Sequence, residues 1–175
     1  MEDWAIVALI SYIGIRHREA ATLTAENVQG GCIELGEDQT KNGRPRSFPI
    51  CAELRDVPDT LLELPERKLG DGLLRGNSED RRYYRIRRVI EKWSEELELP
   101  ALKPHATRKG FTTELEERGV PEGVIKAILG NHEESQNVTA VYKRVRRARM
   151  EAAMALLWSA DWKSWVPPEV SHSRS

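Results

Sequence analysis

The chain has 175 residues, 31% charged and 39% hydrophobic, and its 27 Lys and Arg against 28 Asp and Glu leave a net charge of −1. That is one domain's length with an ordinary soluble composition, and a balance that by itself announces no nucleic-acid partner. No apolar run approaches the roughly 20 residues of a membrane span, and Met1-Glu-Asp-Trp lacks the basic flank and apolar stretch of a signal peptide, so the expected compartment is the cytoplasm, with no membrane partner.

Residues 3–13 read as a helix that is apolar nearly all round, hence buried, and Gly14 stops it. A short helix over about 17–23 leads to Gly30-Gly31. Cys32-Ile-Glu-Leu35 and Arg46-Ser-Phe-Pro-Ile50 read as two strands, and Thr40-Lys41-Asn42-Gly43 supplies between them the Asn-Gly turn of a tight hairpin. Pro49 has no N–H to donate, which places the second strand at an edge or at its own end. Cys32 and Cys51 fall near the open end of this hairpin without metal-ligand spacing, so two free thiols are expected. A helix over about 52–63 follows, then a Gly-rich loop over 65–78 with a short strand at Leu73-Leu74.

Residues 79–97 read as a long basic helix whose apolar side is Tyr84, Val89, Ile90, Trp93 and Leu97. Pro100 and Pro104 bracket a short connection. A helix over 105–118 ends at Gly119, and Pro121 starts the next, which reaches Leu129. After a turn at Asn131, a helix carries Tyr142 and a basic run; Met150–Trp158 reads as a final apolar helix, expected to pack on the chain's own core. The expected fold class is α+β, mostly helical with a small antiparallel sheet, in one domain over 1–160 with a flexible tail over 161–175.

Charge is unevenly spread. Residues 143–149 and 81–88 each hold five positive charges and no negative one. Isolated, such patches are usually solvated helix faces; together they suit phosphate contacts. Arg44, Arg46, Arg81, Arg82, Arg85, Lys143 and Arg144 are the candidate DNA-binding residues.

Six residues in chain order carry the chemistry: Arg16, Lys41, His105, Arg108, His132 and Tyr142. Attack on a phosphodiester builds negative charge on the nonbridging oxygens, and planar guanidiniums match those oxygens with paired hydrogen bonds. Arg16 follows Gly14 at a helix end, where Glu19 can hold it. His105 and Arg108, three apart, share a helix face, and a histidine there can bind phosphate or shuttle a proton. Lys41 on the turn can protonate a departing 5′ oxygen. Tyr142, with an ordinary pKa near 10, needs neighbouring cations to become a nucleophile. Taken singly, each has a bland explanation: a surface ion pair, a common His-x-x-Arg, a solubilising turn lysine, a half-buried tyrosine.

In order, the segments Tyr12-Ile-Gly-Ile-Arg16-His-Arg-Glu19, Thr40-Lys41-Asn-Gly-Arg-Pro-Arg-Ser-Phe-Pro49, Pro104-His105-Ala-Thr-Arg108, Ile128-Leu-Gly-Asn-His132 and Tyr142 resemble the catalytic domain of tyrosine recombinases, the phage-integrase family, from about residue 4 to 158. The resemblance implies DNA strand cleavage and rejoining in site-specific recombination. Arg16 and Arg108 would be phosphate clamps, Lys41 the general acid, His105 a second acid/base group, His132 a phosphate donor and Tyr142 the residue that forms a 3′-phosphotyrosine bond. It implies no metal or other cofactor, double-stranded DNA as partner, DNA-dependent dimers or tetramers, and association with the nucleoid when bound. The block around Tyr142 looks most like integrases of satellite phages and genomic islands.

Where the family usually reads Leu-Gly-His, this chain has Leu129-Gly130-Asn131-His132: either Asn131 takes the histidine position, or one residue is inserted and His132 serves, which the ten-residue step to Tyr142 favours. The separate N-terminal clamp domain usual in the family is expected to be absent from this sequence, which leaves no room for one before Trp4. Two other activities share these features: relaxation of supercoils by a type IB topoisomerase-like mechanism, and DNA binding by a non-catalytic accessory remnant.

Overall fold

The computed structural model describes residues 2–41, 43–50, 54, 57, 61, 72–100, 102–103, 105–130 and 140–158; the side chains of 2, 140–146 and 158 lie outside that description. Six helices and a three-stranded antiparallel sheet are described, so the expected fold class holds. In chain order they are α1 (Glu2–Ile13), α2 (His17–Thr22), a 3-10 turn (Ala25–Asn27), β1 (Val28–Gln29), β2 (Cys32–Leu35), β3 (Arg46–Pro49), α3 (Glu79–Glu96), α4 (Ala106–Glu117), α5 (Glu122–Ile128) and α6 (Ala140–Trp158).

α1 is the central buried element. Ala5, Ile6, Ala8, Leu9, Ile10 and Ile13 are all buried, and the helix packs against α2, α3 and α4. Fully burying each isoleucine or leucine is worth roughly 1.5–3 kcal/mol. α2 packs against α3, and the small buried Ala20 and Ala21 suit that close approach. α3 begins at an N-cap, Ser78, whose side chain accepts from the Arg81 N–H, with Glu79 and Asp80 in the first turn. Its buried face is Ile86, Val89, Ile90 and Ser94. Tyr84 is 58% and Leu97 46% exposed, which corrects their assignment to the apolar side. Tyr84 lies two residues before Ile86 and so points away from the stripe that Ile86 and Ile90 define.

The two expected strands form and pair antiparallel, with Cys32 opposite Pro49 and Leu35 opposite Arg46. Pro49 closes β3, and β3 is an edge strand in the order β1-β2-β3. β1 was not expected. The hairpin is not tight: ten residues separate β2 from β3. Gln39 explains the longer loop. Its side chain accepts from the Gly36 N–H at 3.0 Å and donates to the Thr22 carbonyl at 3.0 Å and Asn27 Oδ1 at 3.1 Å, binding the loop to α2 and the 3-10 turn. The turn at Thr40 remains, closed by the Gly43 N–H to the Thr40 carbonyl at 3.2 Å.

Most of the helix expected over 52–63 lies outside the described residues; Leu54, Val57 and Leu61 of that segment are buried, and Val57 and Leu61 are helical. The strand at Leu73-Leu74 reduces to one bridge between Gly72 and Thr24, with the Leu73 N–H donating to the Leu23 carbonyl at 2.5 Å. Cys32 is buried with a free thiol, and Cys51 lies outside the described residues. The two helices expected after Asn131 are one, α6. It packs against α4, α5 and β3 through Met150, Ala153, Met154 and Leu157, so its second half does rest on the chain's own core. The tail over 161–175 lies outside the described residues, and no described helix is long and apolar enough to cross a membrane.

Candidate functional site

Four of the six residues singled out for chemistry line one open cavity of about 430 Å³: Arg16, Lys41, His105 and Arg108. They come from four places in the fold. Arg16 is the residue before α2, in extended backbone. Lys41 is on the β2–β3 loop, two residues after the Gln39 anchor. His105 caps α4, and Arg108 sits in the first turn of that helix. His17, Glu19 and Tyr83 share the lining. Of the remaining two, His132 lies outside the described residues, and Tyr142 lies in the first turn of α6 with its side chain undescribed.

The arginines are held from behind. Glu19 is 2% exposed. One of its oxygens accepts from Arg16 Nη1 at 2.9 Å, the other from the Arg16 backbone N–H at 3.1 Å and from Arg46 Nη2. Arg46 Nη1 also donates to the Leu129 carbonyl, and the guanidinium lies over the Phe48 ring, 4.7 Å from its centroid. Arg108 donates from Nη1 to the Gly14 carbonyl at 2.6 Å and from Nη2 to the Leu129 carbonyl at 2.5 Å. Leu129 is the C-cap of α5, where carbonyls lack helical partners and the helix dipole favours cations.

Two glycines make the approach possible. Gly14 has φ +66°, and a Cβ there would lie 2.6 Å from the Phe111 ring, so only glycine lets α4 bring Arg108 to the Gly14 carbonyl. Gly130 has φ +67°, and a Cβ there would lie 2.5 Å from Arg46 Cδ.

Burial sets the electrostatics. Desolvation first, then Arg16 and Arg46, pull the Arg108 guanidinium down to about 10, while Glu19 opposes them. Arg46 is lowered by burial and partly restored by Glu19. Both stay charged at neutral pH. A cavity walled by fixed guanidiniums, with an ammonium on one rim and an imidazole on another, is arranged to bind and polarise a phosphate-like anion.

The candidate DNA-binding residues divide. Arg44 and Arg81 are exposed. Arg46 faces inward as described. Arg82 donates from Nε to the Ala21 carbonyl at 2.5 Å and from Nη1 to the Gly76 carbonyl at 2.9 Å, tying α3 to the end of α2. Arg85 pairs with Asp3 at 3.2 Å and borders an open groove with Arg81, Tyr84, Arg88 and Lys92. Lys143 and Arg144 lie in α6 with undescribed side chains. Sequence reasoning missed His17, which is buried in the cavity wall, and the inward role of Arg46. The buried Ala20 and Ala21 on the same short helix were the available sign for His17; nothing local marked Arg46.

A family model described as "Phage integrase family" matches residues 1–149. Among solved structures, the integrase from mycobacterium phage Brujita is similar with a TM-score of 0.65 at 18% identity, over 87% of this chain and 50% of that one. XerA recombinase is similar with a TM-score of 0.62 at 20% identity, over 95% of this chain and 58% of that one. The chain thus spans between half and three fifths of the length of these solved relatives. A search of curated proteins gave no significant match.

Proposed function

Because this chain belongs to the phage integrase family, whose fold it shares with two recombination enzymes, we propose that it cleaves and rejoins DNA strands in site-specific recombination through Tyr142. The observation that carries the reading is the meeting of Arg16, Lys41, His105 and Arg108 around one cavity from positions up to 92 residues apart in sequence.

In this reading a scissile phosphate of double-stranded DNA enters the cavity. Arg16 and Arg108 neutralise its nonbridging oxygens, and the rear contacts to Glu19, Gly14 and Leu129 keep both guanidiniums in place as charge develops. The Tyr142 hydroxyl loses its proton, with His105 as acceptor, and attacks phosphorus while His132 donates a hydrogen bond to the phosphate. A bond forms from the tyrosine oxygen to phosphorus, the bond from phosphorus to the 5′ oxygen breaks, and Lys41 supplies the proton to the leaving 5′ hydroxyl. Rejoining reverses the step with a new 5′ hydroxyl, so the phosphodiester's energy is kept in the covalent link. Arg44, Arg81, Lys143 and Arg144 would contact the flanking backbone, and assembly of further copies on DNA would complete the exchange.

The test is covalent trapping. A library of duplexes with bridging 5′-phosphorothiolate linkages should yield a 3′-linked protein–DNA adduct that resists denaturant. Tyr142→Phe should abolish it. An adduct that persists undiminished in Tyr142→Phe removes Tyr142 from the mechanism.

A further inference from the structure

One buried titratable side chain in the cavity has no part in this mechanism: His17. It is the first residue of α2, 3% exposed, and adjacent to Arg16. Its Nε2 lies 3.2 Å from the hydroxyl of Thr107, which sits in α4 between His105 and Arg108. This hydrogen bond therefore crosses from the segment that presents Arg16 to the segment that presents His105 and Arg108.

The chemistry of the contact favours an uncharged imidazole. His17 Nδ1 is buried without a hydrogen-bond partner among the described residues. With its proton on Nε2, the ring donates to Thr107 and buries only a lone pair at Nδ1. An imidazolium would instead bury an N–H with no acceptor. It would also add a positive charge to a wall that already holds Arg16, Arg18, Arg108, Lys41 and His105, against the carboxylates of Glu19, Asp38 and Glu79. Burial first, then His105 and Arg87, hold the group down to about 4. A lysine or arginine here could reach Thr107 only by crowding a fifth strong cation into the wall. A leucine could fill the space but not make the bond.

We propose that His17 is a positioning residue of the cleavage site, fixing the start of α2 against the start of α4 through Thr107 and thereby setting the spacing of the Arg16 and Arg108 guanidiniums. Its effect on rate rests on the cleavage reading above; the link itself does not. Two clamps on separate elements work on one phosphate only if their separation is held to a fraction of an ångström, and misplacement by about 1 Å costs on the order of 100-fold in rate.

His17→Leu and Thr107→Val are compared with the unaltered full chain for the rate of adduct formation at saturating phosphorothiolate DNA, for DNA affinity and for melting temperature. Each should slow the adduct roughly 10- to 100-fold with affinity unchanged. The double variant should be no slower than the slower single one, because both remove the same bond. His17→Gln, whose amide reaches the Nε2 position, should recover most of the rate. Full speed in His17→Leu overturns the proposal. So does a loss of rate that follows the loss of melting temperature and is not recovered by glutamine. If the unaltered chain forms no adduct, the cleavage reading fails on its own, and the link is read by NMR. The Nε–H signals of Arg16 and Arg108 should move in His17→Leu and Thr107→Val and return in His17→Gln. Signals that stay in place overturn the proposal whether or not the chain cuts DNA.

Discussion

Two groups of arginines in this molecule obey opposite rules. In and behind the cavity wall, Arg16, Arg46 and Arg108 converge on one buried carboxylate and the carbonyls of Gly14 and Leu129. On the solvent-facing side of α2 and α3, Arg18 at the cavity's rim reaches Asp80 at 2.6 Å and Glu79 at 3.7 Å and lies 4.2 Å over the Tyr83 ring, while Arg81 and Arg88 stand exposed. Burial lowers Arg46 and Arg108, whereas the hydrogen bond to Asp80 raises Arg18. The inner set is preorganised: its orientation is fixed before any ligand arrives. The outer set is solvent-exposed charge suited to a polyanion of any sequence, strong at low salt and screened at high salt.

The sharpest way to break this contrast is at its carboxylates. Glu19→Gln leaves the Arg46 cation buried without a counter-charge and should cost about 3–5 kcal/mol in urea denaturation. Asp80→Asn, which removes the partner of exposed Arg18, should leave the unfolding midpoint where it was. Similar losses for the two variants would end the distinction between inner and outer sets.

The next effect is on acid stability. His17 titrates near its ordinary 6.5 in the unfolded chain but is held to about 4 in the folded one. Between those values the unfolded state binds the extra proton, so stability rises with pH across the window and is lost as pH falls through it. The slope contributed is at most about 1.4 kcal/mol per pH unit. Unfolding free energies of the unaltered chain and His17→Gln from urea denaturation, taken from pH 7 to pH 4, should diverge on acidification with at most this slope. Parallel curves would show that His17 is not held neutral by the fold.

The smallest effect belongs to the outer set. Arg81→Ala and Arg88→Ala should leave the rate of adduct formation at saturation unaltered. Each should reduce the slope of log affinity against log salt by about 1. A rate effect at saturation would move these residues into the inner set.

Much of this was legible in the sequence because it is local or periodic. β2 and β3 were read from the segments on either side of the Asn42-Gly43 turn and from Pro49, and the helix ends from glycine and proline. The four cavity residues were read from chemical type and order, which survive without knowing any distance. What was missed depends on distance. Arg46 follows a turn and opens an edge strand, where a basic residue is ordinarily solvent-facing. Only the approach of Glu19, 27 residues earlier, and of Leu129, 83 residues later, makes it internal. Tyr84 and Leu97 were assigned inward because aromatic and aliphatic residues usually are; the helical phase set by Ile86, Val89 and Ile90 turns Tyr84 out, and Leu97 is exposed as the C-cap beyond the helix's last turn. The single helix α6 was read as two because its first part is basic and its second apolar, a change of surroundings along one cylinder.

The Leu129 carbonyl and Gly130 have a consequence for the residues that follow. Two arginines grip that carbonyl, and the glycine after it fits only because it has no side chain. α6 in turn is packed on α4, α5 and β3. The end of α5 and the helix α6 are therefore both fixed to one body. The conformational entropy of ordering them is lost when the chain folds rather than when a ligand arrives. In the reading proposed above, the helix that carries Tyr142 is thus built onto the same body that anchors Arg108.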